Sequence, residues 1–286
     1  MNTDILDSLL EKCAFSDLDG YINCAVSGGA DSVALLILAS IYGLKVTVYH
    51  VDHSIRETGK EEAQFVENLA KRFNAGFEMR TINVTVGPNL EARLRAERFR
   101  ALPIDISLGH TMDDQAETVL LRLMRGSGSK GLGAMEYGRK HPILRLRRKE
   151  TELITDLLEI KPLSDPTNQS NRFKRNRVRN ELIPLMNNIA ERDVVPIVAR
   201  IAELLKEDDA LLESISGTID AEDIDKIGSY PKPLSNRALR NFLSTSYPPS
   251  SKDLEKVWKV IRKEIGATEL PGGRRVAVAK NRLKLY

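Results

Sequence analysis

Between Tyr21 and Met124 the chain alternates short, β-branched apolar runs with longer stretches of helical periodicity. That alternation restricts the possible folds more than any other feature. The strand candidates are Tyr21–Val26, Lys45–Val51, Phe77–Val84 and Ile104–Leu108; the helix candidates are Ala30–Tyr42, Lys60–Phe73, Leu90–Leu102 and Asp113–Met124. Strands joined by helices of ten or more residues pair in parallel, so the expected class is α/β: a Rossmann-like parallel sheet with helices on both faces. Ligands bind beyond the carboxyl ends of such strands, which singles out the loops after Val26, Val51 and Leu108. Past Arg179 the pattern becomes mainly helical and ends in alternating segments around Pro271-Gly272-Gly273 and Lys280-Asn281. The expected division is an N-terminal domain over 1–187 and a smaller, mainly helical C-terminal domain over 188–286, closed by a hairpin or meander.

The first loop, Ser27-Gly28-Gly29-Ala30-Asp31-Ser32, places two glycines and an acid where a helix begins. Glycine accepts positive φ and presents no Cβ to a ligand, and successive N–H groups at a helix N-terminus form a nest for phosphate. A plain strand-to-helix turn would account for the serine and aspartate as caps. Neither GxxxxGK[ST] nor GxGxxG is present, which excludes a Walker loop and the dinucleotide fingerprint. The other two loops carry His50-Val51-Asp52-His53 and Gly109-His110-Thr111-Met112-Asp113-Asp114-Gln115-Ala116-Glu117. Acids in a first helical turn suit the dipole, yet three acids and a histidine at one strand end call for a cation or an amine. Asp114 and Glu117, three apart, can present two carboxylates to one cationic group.

Composition narrows the setting. Two cysteines, Cys13 and Cys24, and no CxxC give no disulfide framework, which fits a reducing cytoplasm. No apolar run approaches the roughly 20 residues of a membrane helix, and the acidic start MNTDILDSLLEKC is unlike a secretory signal. The net charge of +3 conceals an asymmetry: Arg139–Arg179 holds twelve Lys/Arg against five Asp/Glu. Such concentration suggests a polyanion partner, or else a solvated basic face.

Ser27–Ser32 resembles the SGGxDS pyrophosphate loop of the N-type ATP pyrophosphatases. The stretches HVDHSIR from His50 and HTMDDQAETVLLRLMRGSGSKGL from His110 narrow the resemblance to the tRNA(Ile)-lysidine synthetases. It continues through Asn89-Leu90-Glu91, Arg95 to Phe99, Pro142-Ile143-Leu144, Asp165-Pro166-Thr167-Asn168 and Arg175–Arg179, with Phe99 where that family favours Tyr. The similarity covers Tyr21 to Leu185, about 60% of the chain, and is weak beyond 190, where the PGG-containing end looks like the close of a first C-terminal domain in a short form.

This resemblance implies an adenine nucleotide alpha-hydrolase-like fold, ATP and Mg²⁺ as cofactors, and two partners: free L-lysine and the tRNA(Ile) with a CAU anticodon. The C2 oxygen of the wobble cytidine attacks the α-phosphate, pyrophosphate leaves, and the lysine ε-amine then displaces AMP. The product, lysidine, shifts codon reading from AUG to AUA. Carried over by position, Ser27, Gly28, Gly29, Ala30, Asp31, Ser32, His50, Asp52 and His53 bind ATP, and Asp31 and Asp114 bind metal. Asp31, His110, Asp113 and Asp114 form the catalytic group, while Asp114, Glu117 and Arg175 take lysine. Arg95, Arg98, Lys130, Arg145, Arg172, Lys174, Arg177 and Arg179 contact the tRNA. A homodimer is a further expectation.

Three alternatives compete. A tRNA thiolase shares the loop but needs a sulfur-carrying cysteine, often paired, or an iron–sulfur site; Cys24 lies inside the first strand and Cys13 upstream of it, neither at a strand's carboxyl end. An amide-forming synthetase such as an NAD synthetase has no use for the basic stretch. A non-catalytic RNA-binding module leaves the acidic cluster unexplained.

Overall fold

The computed structural model describes residues 3–52, 59–82, 90–163, 173–245 and 249–286. His53, Asn89, Asp165–Asn168 and Arg172 lie outside the described residues, as do the side chains of Leu90, Glu91 and Arg95.

After helix α1 (Thr3–Leu10) the chain enters β1 (Tyr21–Ala25), α2 (Ala30–Ile41), β2 (Lys45–Asp52), α3 (Gly59–Arg72), β3 (Gly76–Thr81), α4 (Leu90–Ala101), β4 (Ser107–Leu108) and α5 (Met112–Met124). The four strands form one parallel sheet in the order β3-β2-β1-β4. The expected α/β class is what the chain adopts. Ile22, Cys24 and Val26 alternate into the core beside Val46 and Val48. Every residue of α2 from Val33 to Ala39 is fully buried, as an all-apolar helix must be: the sheet lies against it, and so does α7 (Arg148–Leu157).

β4 is shorter than the apolar run Ile104–Leu108 suggested. Ile104 is fully exposed, and Asp105 accepts hydrogen bonds from Asn23 Nδ2 at 3.0 and 3.1 Å, so this segment is a loop fastened to β1. Strand order reverses between β1 and β4, the switch point at which doubly wound sheets open a crevice. Ala25 pairs with Leu108 in register, so the loops after these two strands leave the sheet side by side.

α6 (Ser129–Leu132), α8 (Lys174–Arg177), a π-helical turn over Val178–Leu182, α9 (Ile183–Ala190) and α10 (Val195–Gly217) follow. Ala116, Val119 and Leu120 of α5 pack with Val178, Ile183, Val194, Val195, Val198 and Ala202. The chain therefore divides into compact units Met1–Leu204 and Leu205–Tyr286. Residues 188–204, read from sequence as the start of the C-terminal domain, belong to the first unit, because Val195, Val198 and Ala202 of α10 join a buried cluster with residues of α5, Val178 and Ile183.

The second unit holds α11 (Ile224–Ser229), α12 (Lys232–Leu243) and α13 (Ser251–Ile261) with an antiparallel meander β5 (Ala267–Leu270), β6 (Arg274–Ala279) and β7 (Arg282–Leu285). Lys280 and Asn281, both at left-handed φ (49° and 62°), make the two-residue turn from β6 to β7. Leu239, Leu243, Leu254, Val257, Val276 and Leu283 form its core. Among the described residues no helix is long and apolar enough to cross a membrane.

Candidate active site

The carboxyl ends of β1 and β4 build the site. Gly28 lies at φ +90°, a conformation that favours glycine, and its carbonyl accepts from Leu163 N at 2.9 Å. Ser32 Oγ closes the turn: it donates to Gly29 O at 2.9 Å and accepts from Ser27 N at 3.2 Å, with Ser27 Oγ also 3.2 Å away. Ala30 and Asp31 open α2 after this turn. The loop is a glycine turn leading into a buried helix, the geometry of a phosphate nest.

Gly109 brings the second loop against the first. A Cβ there would lie 2.7 Å from Asp31 O and 2.9 Å from Ser32 Cα. Two residues on, Thr111 caps α5, and its N and Oγ1 donate to Asp114 Oδ2 at 2.9 and 3.1 Å. One oxygen of Asp114 is thereby committed to the cap. The other, Oδ1, accepts from Arg175 Nη2 at 2.9 Å and Arg148 Nη2 at 3.2 Å.

Glu117, one turn later, has no exposed side-chain surface. It accepts from Arg175 Nε and Arg179 Nε, each at 2.6 Å, and pairs with Arg148 Nη1 at 3.4 Å. Arg148 Nε lies 3.6 Å from Asp31 Oδ2, so this one guanidinium bridges all three carboxylates. Asp31, Asp114 and Glu117 thus face Arg148, Arg175 and Arg179: a charge-balanced group in a largely desolvated place, which spares each carboxylate the cost of standing alone there.

The carboxyl groups differ in character. Burial pushes Asp31 up to about 6, with the Asp114 charge adding to the rise and the Thr151 and Arg148 hydrogen bonds opposing it. For Asp114 burial pulls upward too, but Arg175, Arg148 and the Thr111 N–H outweigh it and hold it below the usual range. Asp113 is likewise lowered against its burial. It is bidentate with Arg147 (Nε–Oδ2 3.0 Å, Nη2–Oδ1 3.1 Å) and accepts from Arg148 N at 2.8 Å. Arg147 also contacts Asp193. Asp113 therefore fastens the start of α7 to the start of α5, and both its oxygens are engaged by protein.

The remaining sequence-stated candidates separate into two groups. His50 is buried at the end of β2 and donates from Nδ1 to Val26 O at 2.9 Å, binding β2 to β1 just before the glycine turn. Asp52 ends β2 beside Gly59. His110 sits in the second loop with its Nδ1 3.0 Å from His141 Nδ1. Of the basic residues assigned to tRNA, Arg179 is drawn into the acidic group, Arg177 pairs with Glu181 at 2.9 Å, and Arg145 lies over Tyr137 and 3.5 Å from Glu203. Arg98, Lys130 and Lys174 are exposed.

Sequence reasoning missed His141, Arg147, Arg148 and Thr151, and gave Gly109 no role beyond its place in the second loop. A signal for two of them was present. Arg147 and Arg148 begin a helix, where positive charge opposes the dipole, so they call for carboxylate partners.

Order β3-β2-β1-β4, a glycine nest after β1 and a carboxylate–arginine group after β4 define a nucleotide-binding α/β protein of the PP-loop class. A PP-loop domain model matches residues 5–186. The chain is 34% identical to a tRNA(Ile)-lysidine synthase of Rhodococcus opacus (79% of this chain, 74% of that one). It is 33% identical to that of Thermobifida fusca (88% and 87%). The chain belongs to the PP-loop family and, within it, to the tRNA(Ile)-lysidine synthases. In architecture it is similar to a U34-tRNA thiolase of Methanococcus maripaludis carrying a [4Fe-4S] cluster (TM-score 0.58, 16% identity, 71% of this chain and 78% of that one), a likeness of fold alone. A thiolase reading is not favoured. Both cysteines are buried, and burial raises the Cys13 thiol to about 12 and the Cys24 thiol further, which leaves neither as a ready nucleophile.

Proposed function

We propose that this chain joins free L-lysine to C2 of the wobble cytidine of CAU-anticodon tRNA(Ile), consuming ATP and releasing AMP and pyrophosphate. The observation that carries the reading is the meeting of a glycine nest with buried carboxylates held by arginines at one switch point of one sheet. The nest takes the phosphates of ATP through Ser27–Ser32. Adenylation turns the cytidine C2 oxygen into a good leaving group, and the amine then replaces AMP at C2.

Mg²⁺ suits this donor set. Mg²⁺ is commonly bound by one or two carboxylates with substrate phosphates completing its shell, and Asp31 stands at the glycine nest with Asp114 sharing its Arg148 partner. Asp31 would hold it, with Asp114 Oδ1 as the second oxygen, and it would offset phosphate charge as pyrophosphate departs. Burial beside a second carboxylate already leaves Asp31 short of positive charge.

Glu117 takes the lysine ε-ammonium and accepts its proton, since only the neutral amine attacks, while Asp114, one turn earlier on α5, adds negative charge at the same place. Their present partners are guanidinium groups, so the ammonium binds by exchanging with arginine in a group whose charges stay balanced. Arg175, the most exposed of the three, is the one to move. Lys130 and Lys174 remain exposed for tRNA phosphates, and the second unit supplies further contacts.

Incubation with ATP, labelled lysine and either tRNA(Ile) or tRNA(Met), followed by nucleoside analysis, tests the reading. Lysidine in tRNA(Ile) alone is expected. No ATP-dependent incorporation of lysine into either tRNA overturns it.

A further inference from the structure

The basic stretch that looked free in the sequence is largely spent inside the first unit. Arg147, Arg148, Arg175 and Arg179 serve the carboxylates of the site, and Arg139, Arg145 and Arg177 pair with Asp19, Glu203 and Glu181. Charge that is not spent lies elsewhere. Residues 226–286 hold fourteen Lys/Arg against four Asp/Glu, a net of +10, masked in any overall count by eight Asp/Glu and one Lys in 205–225. The acidic segment neutralises only part of this: Arg237 binds Asp209 and Glu213 at 2.7 and 2.9 Å, and Arg282 and Lys284 bind Glu222 at 3.1 and 3.2 Å.

It does not neutralise α13. That helix buries Leu254, Val257, Val260 and Ile261 in the core of its unit. At about 100° per residue, Lys252, Lys256 and Lys259 fall within roughly 60° of one another on the opposite side, and all three are exposed. Lys252 and Lys259 make no ion pair among the described residues, and Lys256 reaches only Asp253, at 3.8 Å. Lys263, exposed and likewise without an ion pair, follows just past the helix end. Like charges three and four residues apart repel along a helix face; Glu255, exposed three residues from Lys252 and four from Lys259, offsets part of that cost, and a polyanion alongside removes the rest. The three lysines extend about 10 Å along the axis at 1.5 Å per residue, a row of mobile ammonium groups suited to consecutive phosphodiesters.

We propose that this lysine row on α13 is a docking face for the phosphodiester backbone of the tRNA. The inference rests on the reading of the substrate as a tRNA, and adds which face of the second unit holds it. A helix that lies on a membrane needs its apolar side free; that of α13 is in the core, so RNA is the occupant that fits.

The test is the salt dependence of tRNA affinity for the full chain carrying Lys252→Gln, Lys256→Gln and Lys259→Gln together, since Gln keeps helix propensity while removing charge. Each lost phosphate contact lowers the log–log slope by about 0.7 to 0.9, so a fall of about 2 is expected. The KM for tRNA should rise tenfold or more at physiological salt, with kcat at saturating tRNA unchanged. The Lys→Arg triple should bind as the parent does, which separates lost charge from lost fold. Lys45→Gln, Lys60→Gln and Lys71→Gln together, an equal loss from the first unit, should leave the slope alone. An unchanged slope in the α13 triple overturns the proposal. An equal fall in the control triple does so too, because it shows a response to net charge alone. Loss of binding to anionic phospholipid vesicles without any change in tRNA slope would assign the row to a membrane instead. If the parent chain binds tRNA with the expected slope yet makes no lysidine, the reading of function fails while this face stands.

Discussion

Arg175 donates from Nε to Glu117 Oε2 at 2.6 Å, and Glu117 is wholly enclosed, with Arg179 and Arg148 on its other sides. Removing the charge of a carboxylate with three guanidinium neighbours leaves buried positive charge uncompensated. Breaking such a group from one side costs about 3–5 kcal/mol where burial is complete. These arginines retain some exposure, between 22% and 36%, so a smaller loss applies.

Glu117→Gln keeps shape and loses charge. The expected stability loss is about 2 kcal/mol, read as a fall in the denaturant midpoint. Under conditions where the variant is folded, adenylated tRNA should still form, while lysine transfer slows and the KM for lysine rises at least tenfold. A single-turnover reaction, with lysine withheld and then added, separates the two steps. Failure to form the adenylated tRNA would place Glu117 with ATP and the metal instead.

Asp31 makes opposite contributions to stability and activity. Its folded value, about 6, lies above its ordinary 3.8, so the folded chain holds a proton that the unfolded chain releases. Stability from this group is full below pH 4 and is lost as pH rises through 6. Asp31→Asn should therefore stabilise the metal-free protein at pH 7.5, by about 1–2 kcal/mol after the loss of its Arg148 contact, and have little effect at pH 4. ATP-dependent pyrophosphate release should disappear in the same variant. In the parent at limiting Mg²⁺, that release should decline as pH falls through about 6, because the proton then competes with the metal for Asp31. Pyrophosphate release near the parental rate from Asp31→Asn would remove Asp31 from the metal site.

Arg147→Lys tests the clamp between α5 and α7. Lysine keeps the charge but cannot reproduce the two parallel bonds to Asp113. A loss of about 1–2 kcal/mol is expected, together with slower lysine transfer, because Arg148 follows directly and would lose its fixed position. A melting temperature equal to the parent's would show that Asp113 needs no bidentate partner.

The parallel sheet was legible because strand and helix periods are local, and the glycine turn because its residues are contiguous. The arginine partners were not, because Arg148 and Glu117 lie 31 residues apart and Arg179 and Glu117 lie 62 apart. Pattern reveals charge but not pairing, so Arg179 read as a tRNA contact. The unit boundary was obscured for a related reason. α10 is one continuous helix, and nothing in its periodicity marks where its apolar side ceases to serve the buried cluster of the first unit. The lysines of α13 were hidden in the net charge by the acidic segment before them.

Gly109→Ala is the sharpest test of how the two loops cooperate. Gly109 is not at positive φ, so alanine meets no intrinsic backbone penalty there; the obstacle is space. The added methyl would stand 2.7 Å from Asp31 O, 2.9 Å from Asp31 C and 2.9 Å from Ser32 Cα, all backbone atoms that no rotamer change can move aside. Either the β4 loop or the first turn of α2 must shift by several tenths of an ångström. Both carry site residues: His110 and Asp114 on one side, Asp31 and Ser32 on the other. Positioning errors of about 1 Å can cost about a hundredfold in rate, so adenylation should fall at least tenfold. Stability should fall by about 1–3 kcal/mol, the usual cost of overpacking. Gly20→Ala serves as the comparison, since a Cβ there meets nothing within 4 Å, although its φ of +79° carries its own strain. Stability loss without loss of adenylation is expected for Gly20→Ala. Adenylation at the parental rate in a folded Gly109→Ala protein would show that the close approach of these loops is a matter of packing alone.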